Sequence, residues 1–388
     1  MLKILFISPY FPYYNKGGGG TISLQRIKSL SKFAEIDLIF LTNGEEFLKY
    51  KDEFKNFVKE FNYVKQNKFE IIKNILFYFQ KKSLRECFAF SKNLLKILKE
   101  KILLNKYDFV WFNHERTFQY SFYIPYCKKI VDLHDVTSER HKKTFLKEKN
   151  PFLKLIHLYE FFRIKNVERK ILKNADGIIV TSKEERKKLK NNKKVFELAF
   201  YPEIRIRKVE NDEKNILFIG DMDYFPNKDA LFYFIKKIFP HIKQKIKDAK
   251  LFIVGPSMNK SIKKLSNGKD IFTKGFVPKI EEVYSKTNVL VVPLRIGTGI
   301  RVKIIEAMAN GVPIVSTKIG CEGIKGIKDG VNIMIRDNPL EFAEAVERLL
   351  VDKKLAASIS KEGYNLVKKY YSEENLKEII KKIFENKK

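Results

Sequence analysis

The chain has 388 residues, of which 44% are hydrophobic and 13% aromatic, with only 18 glycines and 12 prolines. This composition excludes a disordered, collagen-like or low-complexity protein, and the length suits two or three globular domains. Lys and Arg number 77 against 46 Asp and Glu, and the resulting net charge of +31 predicts an anionic partner.

Cysteine usage and hydropathy indicate the compartment. The three cysteines, Cys87, Cys127 and Cys321, are widely spaced and odd in number. This pattern disfavours a disulfide scaffold or a zinc ribbon and favours a reducing cytosol. The first apolar run, Ile4 to Ile7, is too short for a signal peptide, and no stretch reaches the ~18 apolar residues of a membrane span. We therefore expect a cytoplasmic protein.

Short apolar, β-branched runs alternate with helical patterns in both halves of the chain. The first half has Lys3–Ser8, Glu35–Leu41, Phe109–Phe112, Lys129–Leu133 and Gly177–Ser182. The second half has Asn215–Gly220, Leu251–Gly255, Asp270–Thr273, Val289–Pro293, Pro313–Thr317 and Asn332–Ile335. Such runs predict buried parallel strands, and hence two doubly wound α/β domains. The irregular stretch 201–213 predicts a boundary near residue 205.

A run of four glycines, residues 17–20, follows the first predicted strand and leads into the predicted helix Ile22–Phe33. Glycine allows close backbone approach, and the amides of Gly18 and Gly19 beside a helix N-terminus would suit an anion such as a phosphate. The run does not match the dinucleotide or phosphate-loop fingerprints. It is therefore interpreted either as a donor-phosphate site or as a flexible loop.

His134 and Asp135 stand at the end of the predicted strand Lys129–Leu133. In a doubly wound sheet the carboxyl ends of the strands face the ligand, so His134 is a candidate to position a sugar hydroxyl or a reacting carbonyl, and Asp135 to orient it or to act as an acceptor. A structural histidine is the alternative. The other histidines lack this strand-end context in the predicted elements, and no His pair has the spacing of a metal site.

The segment 140–173 contains eleven basic and three acidic residues. Its Leu155, Ile156, Leu158, Tyr159 and Phe162 form an apolar stripe at helical spacing. One interpretation is a helix that lies on an anionic membrane surface, which would make the protein peripheral on the inner face. The other is a helix packed on the core with a solvated basic back.

The segment from Pro293 to Ala309 has the pattern strand, Gly-Thr-Gly turn and helix. Thr298, Gly299 and the N-terminus of a helix that begins near Ile300 would cradle phosphate oxygens. The same segment places Arg301 and Lys303 at the phosphate, and Glu306 further along the helix, where it could accept hydrogen bonds from ribose hydroxyls. Local capping or pairing is the alternative for Glu306.

Residues 216–350 resemble the nucleotide-binding domain of glycosyltransferase family 4, which has the GT-B fold. The resemblance is carried by ILFIGDMDYFPNKDAL (216–231), LFIVGPS (251–257), GFVPKIEEVY (275–284) and VVPLRIGTGIRVKIIEAMANGVPIVSTKIGCEGI (291–324). It continues more weakly through KILFISPYFP (3–12), the glycine run and DLHDVTSER (132–140).

The resemblance implies two Rossmann-like domains facing a central cleft: an acceptor-side domain at 1–205, a nucleotide-sugar domain at 206–371, and a helix at 372–388 that crosses back to the first domain. It implies retaining transfer of a sugar from a nucleotide-diphosphate donor, without metal or other cofactor, to a saccharide or lipid-linked acceptor in cell-surface glycan biosynthesis. Glu306 matches the second of the family's two glutamates separated by seven residues, and Thr298 replaces the first.

Two alternatives remain open. A nucleotide-sugar 2-epimerase has the same fold and needs no acceptor. A non-catalytic basic protein that binds nucleic acid or membrane would also fit the charge of the chain. No nucleic-acid-binding motif accompanies that charge, so we expect no nucleic-acid partner.

Overall fold

The structure is a computed structural model. It describes residues 1–13, 17–78, 81–124, 127–190, 192–202, 213–277, 280–297 and 300–371. The chain divides into two compact units: among the described residues the first holds Met1–Tyr13 and Gly19–Leu198, and the second holds residues 17–18 and those from Ala199 onward. The predicted boundary near residue 205 and the predicted helix 372–388 fall outside the described residues and stay predictions.

The first unit is built on a seven-stranded parallel sheet. Its strands are β1 Leu2–Ser8, β2 Ala34–Thr42, β3 Glu60–Lys65, β4 Phe109–Asn113, β5 Lys128–His134, β6 Gly177–Val180 and β7 Val195–Glu197. They lie in the order β3-β2-β1-β4-β5-β6-β7, with Ile4 of β1 between Ile36 and Phe109. The order reverses between β1 and β4, and in such sheets ligands bind at the carboxyl ends of the strands beside that reversal.

Helices cover this sheet. They are α1 Gly17–Leu30, α2 Lys51–Phe54, α3 Lys68–Tyr78, α4 Leu84–Phe88, α5 Lys92–Leu104, α6 Thr137–Lys147, α7 Pro151–Asn174 and α8 Lys183–Lys188, with 3-10 turns at Glu46–Tyr50 and Glu115–Tyr123. Asn150 caps α7 by accepting from the amides of Phe152 and Leu153, and Pro151 at the first helical position fits the same start.

The structure corrects one expectation for the helices of the first unit and bears on a second. The glycine run is not a loop before a helix, because α1 already begins at Gly17 and includes all four glycines. The predicted apolar stripe of α7 is exposed at Leu155 (64%) and Phe162 (62%) and half-buried at Ile156, Leu158 and Tyr159. The core side of α7 lies further along, at Ile164, Val167 and Ile171.

The second unit is built on a six-stranded parallel sheet. Its strands are β8 Asn215–Ile219, β9 Lys250–Val254, β10 Ile271–Lys274, β11 Val289–Val292, β12 Ile314–Ser316 and β13 Met334–Ile335. The helices are α9 Phe225–Tyr233, α10 Phe239–Lys245, α11 Lys260–Lys263, α12 Ile280–Tyr284, α13 Val302–Ala309, α14 Pro339–Val351 and α15 Lys353–Tyr370, and a π-turn at Phe234–Ile238 joins α9 to α10.

The strands of the second unit lie in the order β10-β9-β8-β11-β12-β13, all parallel. The predicted fold class, two parallel-sheet α/β domains, is confirmed. All eleven predicted strands are present with small shifts at their ends. Sequence patterns missed β3 and β7, which form the two edges of the first sheet, where a strand is exposed or short. None of the described helices combines the length and the apolar character needed to cross a membrane.

A buried ion pair ties the first unit together. Arg26 of α1 and Asp132 of β5 are both fully buried, and the Arg26 Nε donates to Asp132 Oδ2 at 2.9 Å. The same guanidinium also donates to the carbonyl of Leu198, directly after β7. One side chain therefore joins a helix, the centre of the sheet and its far edge.

Replacing Arg26 with Met should lower the free energy of unfolding by about 3–5 kcal/mol, because Asp132 would be left buried and charged without its partner. Chemical denaturation followed by circular dichroism measures the loss. Arg169→Met, on the exposed surface of α7, is the matched control and should change stability by less than about 0.5 kcal/mol. A loss below about 1 kcal/mol for Arg26→Met would contradict the role given to the pair.

Candidate functional site

Two clusters of polar side chains lie at the carboxyl ends of the central strands, one in each unit. The histidine cluster of the first unit consists of Tyr10, His114, Asp132 and His134. The lysine–glutamate cluster of the second unit consists of Asn227, Tyr284, Lys303 and Glu306. Each is described within its own unit.

His134 ends β5 and adopts a left-handed backbone conformation, with φ of 60°. Its amide donates to Asp132 Oδ1 at 3.2 Å, and its Nε2 lies 3.8 Å from the same oxygen. The ring is buried, and within the described part of the chain neither ring nitrogen has a hydrogen-bond partner. Burial lowers the pKa of His134, so the imidazole is neutral at physiological pH.

His114 is the residue that sequence analysis undervalued. It follows β4 as His134 ends β5, it also has a positive φ of 70°, and the two ring centroids are 4.2 Å apart. Its Nε2 hydrogen-bonds the Tyr10 hydroxyl at 2.5 Å, and burial lowers its pKa well below the usual value. The strand-end signal that selected His134 applies equally to His114, because β4 and β5 are neighbours.

Of the predicted residues Gly18, Gly19 and Asp135, Gly19 is the one that lies beside the histidine cluster. Gly18 and Gly19 lie in the first turn of α1, and a Cβ on Gly19 would come within 3.0 Å of the Tyr10 hydroxyl oxygen and 3.7 Å of His114 Nε2. Gly19 therefore belongs beside the histidine cluster. Asp135 accepts from Arg140 at 3.3 Å, and the carboxylate beside His134 is that of Asp132.

In the second unit, Lys303 lies on the first turn of α13. Its ammonium donates to the carbonyl of Ile219, at the end of β8, and to Asn227 Oδ1 at 3.2 Å. Packing away from water and the neighbouring Arg301 charge lower the pKa of Lys303 to about 7. The amine thus stands at the carboxyl end of β8, between a backbone carbonyl and the Asn227 side chain.

Glu306 lies one turn further along α13. The Tyr284 hydroxyl donates to Glu306 Oε2 at 3.5 Å, and packing away from water raises the pKa of Glu306 to about 8. Arg301 occupies the N-cap position of α13 without a side-chain capping hydrogen bond, and its guanidinium packs so closely over Gly297 that a Cβ there would overlap it. Thr298 and Gly299, the other predicted phosphate ligands, lie outside the described residues.

Asn227 and Tyr284 carry no sequence signal of their own. Asn227 donates to the carbonyl of Asp221 at 3.0 Å while accepting from Lys303, and its side chain fills the space that Gly220 leaves open. Gly255, with φ of 144°, has no room for a side chain because a Cβ would meet the carbonyl of Gly220. These glycines let the ends of β8 and β9 approach closely enough to hold Asn227 beside Lys303.

The second unit of the chain matches a known protein family. Residues 213–352 match the family model described as glycosyl transferases group 1. The predicted enzyme class is a glycosyltransferase. The match confirms it. The chain is also 25% identical to an uncharacterized 44.6 kDa protein in the cps region of Klebsiella pneumoniae, over 367 residues that cover 89% of this chain and 90% of that protein.

Three solved structures share the fold over nearly the whole chain. A mutant of S. aureus TarM, in complex with fondaparinux, alpha-GlcNAc-glycerol and UDP, has a TM-score of 0.73 at 15% identity and covers 99% of this chain and 100% of its own. Anabaena HepE, with UDP and glucose, has 0.70 at 13% identity, with 100% of both chains covered. Sucrose-phosphate synthase of Thermosynechococcus elongatus has 0.71 at 16%, with 99% and 98% covered. These likenesses confirm the GT-B fold.

The described residues contain no group of three or more His, Cys, Asp or Glu side chains arranged to hold a metal ion. His141 and His157, which contact each other through Nδ1 atoms 3.1 Å apart, are a pair rather than a metal centre. The imidazoles of the histidine cluster can hydrogen-bond hydroxyl groups, and the Lys303 amine of the lysine–glutamate cluster can bind phosphate oxygens.

Replacing Glu306 with Gln should stabilise the protein increasingly as pH rises from 5 to 8. A carboxyl whose pKa is raised from 4.5 to about 8 on folding costs stability above pH 4.5, and the cost grows until pH 8. We expect little difference at pH 5 and a gain of about 1–3 kcal/mol at pH 8.

Thermal unfolding across that pH range measures the effect, with Glu344→Gln on the exposed side of α14 as control. A gain for Glu306→Gln that is the same at pH 5 and pH 8 would contradict the assigned environment.

Proposed function

We propose that this protein is a retaining, metal-independent glycosyltransferase of family 4 that transfers a sugar from a nucleotide-diphosphate donor to a saccharide or lipid-linked acceptor. The lysine–glutamate cluster is the observation that carries the proposal. Lys303 and Glu306 stand on the first turns of α13, after β11, where a helix N-terminus and a cation favour phosphate and a carboxyl acceptor favours ribose hydroxyls.

The chemistry of the proposed reaction suits these groups. A departing nucleoside diphosphate gains negative charge, and preorganised amides and cations stabilise that charge in place of a metal. Lys303, with a pKa of about 7, becomes protonated beside a diphosphate and contributes one positive charge. Arg301 is the second candidate cation. His134, whose ring nitrogens have no hydrogen-bond partner among the described residues, is proposed to position the sugar.

The relatives support the choice of substrate class. TarM and HepE are solved with UDP, and the TarM complex holds a glycosylated glycerol. The Klebsiella relative is described by its place in the cps region, which supports our proposal of a role in cell-surface polysaccharide synthesis. UDP is therefore the first nucleotide to test, with GDP, ADP, CMP and dTDP beside it.

Selective stabilisation by one nucleoside diphosphate, unchanged by EDTA, is the expected result of a thermal-shift screen at ~0.3 M salt. Lys303→Ala should raise the Kd for that nucleotide by roughly 30- to 1000-fold, since a charged phosphate partner contributes about 2–4 kcal/mol. Calorimetry measures the change.

Lys286→Ala is the control, because Lys286 is exposed elsewhere in the same unit. A wild-type Kd in Lys303→Ala would refute the donor site, and a shift that disappears with EDTA would refute metal independence.

We also propose that the tip of the α6–α7 hairpin contacts an anionic membrane. Leu146, Phe152 and Leu155 are each more than 60% exposed, and Lys147 and Lys149 stand exposed among them. Apolar side chains surrounded by lysines match the apolar interior and anionic headgroups of a lipid surface.

Phe152→Ser should reduce co-sedimentation with vesicles containing phosphatidylglycerol at least threefold, because one of the inserting side chains becomes polar. Phe69→Ser, in the exposed face of α3, is the matched control and should leave binding unchanged. Equal binding of the wild type to neutral and anionic vesicles, or no effect of Phe152→Ser, would contradict this contact.

A further inference from the structure

Three arginines surround the histidine cluster of the first unit. We call them the arginine cluster: Arg85 of α4, Arg116 of the 3-10 turn that follows β4, and Arg140 of α6. All three lie close enough to His114 for their charges to lower its pKa. Because like charges repel, gathering three guanidinium groups around a buried site costs energy that some partner must offset.

Two of the arginines have carboxylate partners. Arg85 Nε donates to Glu115 Oε1 at 2.6 Å, and Glu115 is almost fully buried. Arg140 lies 3.3 Å from Asp135 Oδ2. Both partners belong to the chain segments that follow β4 and β5, so these ion pairs hold the two guanidinium groups beside His114 and His134.

Arg116 differs from both. Among the described residues no carboxylate pairs with it, and its Nε is buried without a hydrogen-bond partner. Its guanidinium lies 5.7 Å from the centre of the Tyr10 ring, and Tyr10 in turn hydrogen-bonds His114. Burial and the Arg85 charge lower its pKa to about 10. The neighbouring Glu115 carboxylate offsets part of this charge but makes its ion pair with Arg85. The planar donors of Arg116, which form no ion pair among the described residues, fit phosphate oxygens.

His134 supplies the second part of the site. Its ring, 95% buried, offers two nitrogens that have no partner among the described residues, and its centroid lies 4.2 Å from that of His114, with the ring planes tilted by 53°. A neutral imidazole can donate to or accept from a hydroxyl, whereas the arginines can bind an oxyanion. Together they suit a ligand that carries a phosphate next to sugar hydroxyls.

We infer that the arginine cluster, centred on Arg116, binds a phosphate group of the acceptor. The inference rests on the proposed function and specifies the acceptor chemistry: the phosphate belongs either to a lipid-linked sugar diphosphate or to a phosphorylated saccharide. Arg116 provides the unpaired guanidinium, and Arg85 and Arg140 contribute charge while Glu115 and Asp135 fix their positions.

Calorimetric titration of the full chain tests this site with three probes: inorganic phosphate, geranyl diphosphate and glucose 6-phosphate. Arg116→Gln should raise the Kd of the phosphate probes at least tenfold and leave the Kd for UDP unchanged. Arg116→Lys, which keeps the charge but not the planar fork, should have a smaller effect. Arg169→Gln, exposed on α7, is the matched control and should bind as the wild type does.

Lys303→Ala separates this site from the proposed donor site. Phosphate binding that survives Lys303→Ala and is lost in Arg116→Gln supports the inference. An unchanged phosphate Kd in Arg116→Gln, or phosphate binding that disappears in Lys303→Ala, overturns it. Tighter binding of geranyl diphosphate supports a lipid-linked acceptor, and tighter binding of glucose 6-phosphate supports a phosphorylated saccharide.

Two further readouts keep the outcomes distinguishable. Circular dichroism shows whether Arg116→Gln folds, and Arg85→Lys serves in its place if it does not, with an expected rise in phosphate Kd of at least threefold. If the wild type binds phosphate as expected but no nucleoside diphosphate, the proposed function fails and the phosphate site stands. If nucleotide binds and phosphate does not, the reverse holds.

Discussion

The buried contact between Arg26 and Asp132 is the constraint on which the first unit depends. A charge pair without access to water is tolerated only when its geometry is good and its remaining donors are satisfied, and Arg26 meets this by also reaching the Leu198 carbonyl. The other carboxylate oxygen of Asp132 accepts a hydrogen bond from the His134 amide. The buried ion pair therefore fixes the end of β5, and the position of His134 depends on a contact in the core.

The second unit reaches a similar result with different groups. Its organising cation is Lys303, held by a backbone carbonyl of β8 and by Asn227 rather than by a carboxylate. Among the described residues both acceptors of that ammonium are neutral oxygens, which suits the phosphate-binding role that we propose for it. The first unit thus uses a buried charge for architecture at Arg26, and in our proposal the second unit uses a charge to bind a ligand.

The sequence predicted the fold well where side chains are buried on both faces of a sheet. Apolar runs such as Lys3–Ser8 and Val289–Pro293 have no stable alternative to a central parallel strand. Edge strands lack that constraint: β3 has one buried residue among six, and its sequence alternates between polar and apolar residues without a continuous apolar run. The glycine run was misjudged because glycine is a poor helix former, yet tertiary packing of α1 overrides that preference.

Some residues of the candidate site could likewise be identified from the sequence, and others only from the structure. Strand-end position identified His134 and could have identified His114, while motif spacing identified Lys303 and Glu306. Asn227 and Tyr284 could not be found from sequence, because their contacts join residues 76 and 22 positions apart that only the folded sheet brings together. Whether the predicted site residues act as proposed stays a prediction that the variants described above will test.

Gly255 has a consequence for how this protein can evolve. Its φ of 144° and the Gly220 carbonyl in the space of its missing Cβ leave room for no other residue. A side chain at Gly255 would push the ends of β8 and β9 apart and displace Gly220, against which Asn227 of α9 packs. The spacing of these two strands, and with it the position of Asn227 beside the Lys303 ammonium, therefore depends on the absence of a side chain at this one position, which makes substitution there costly.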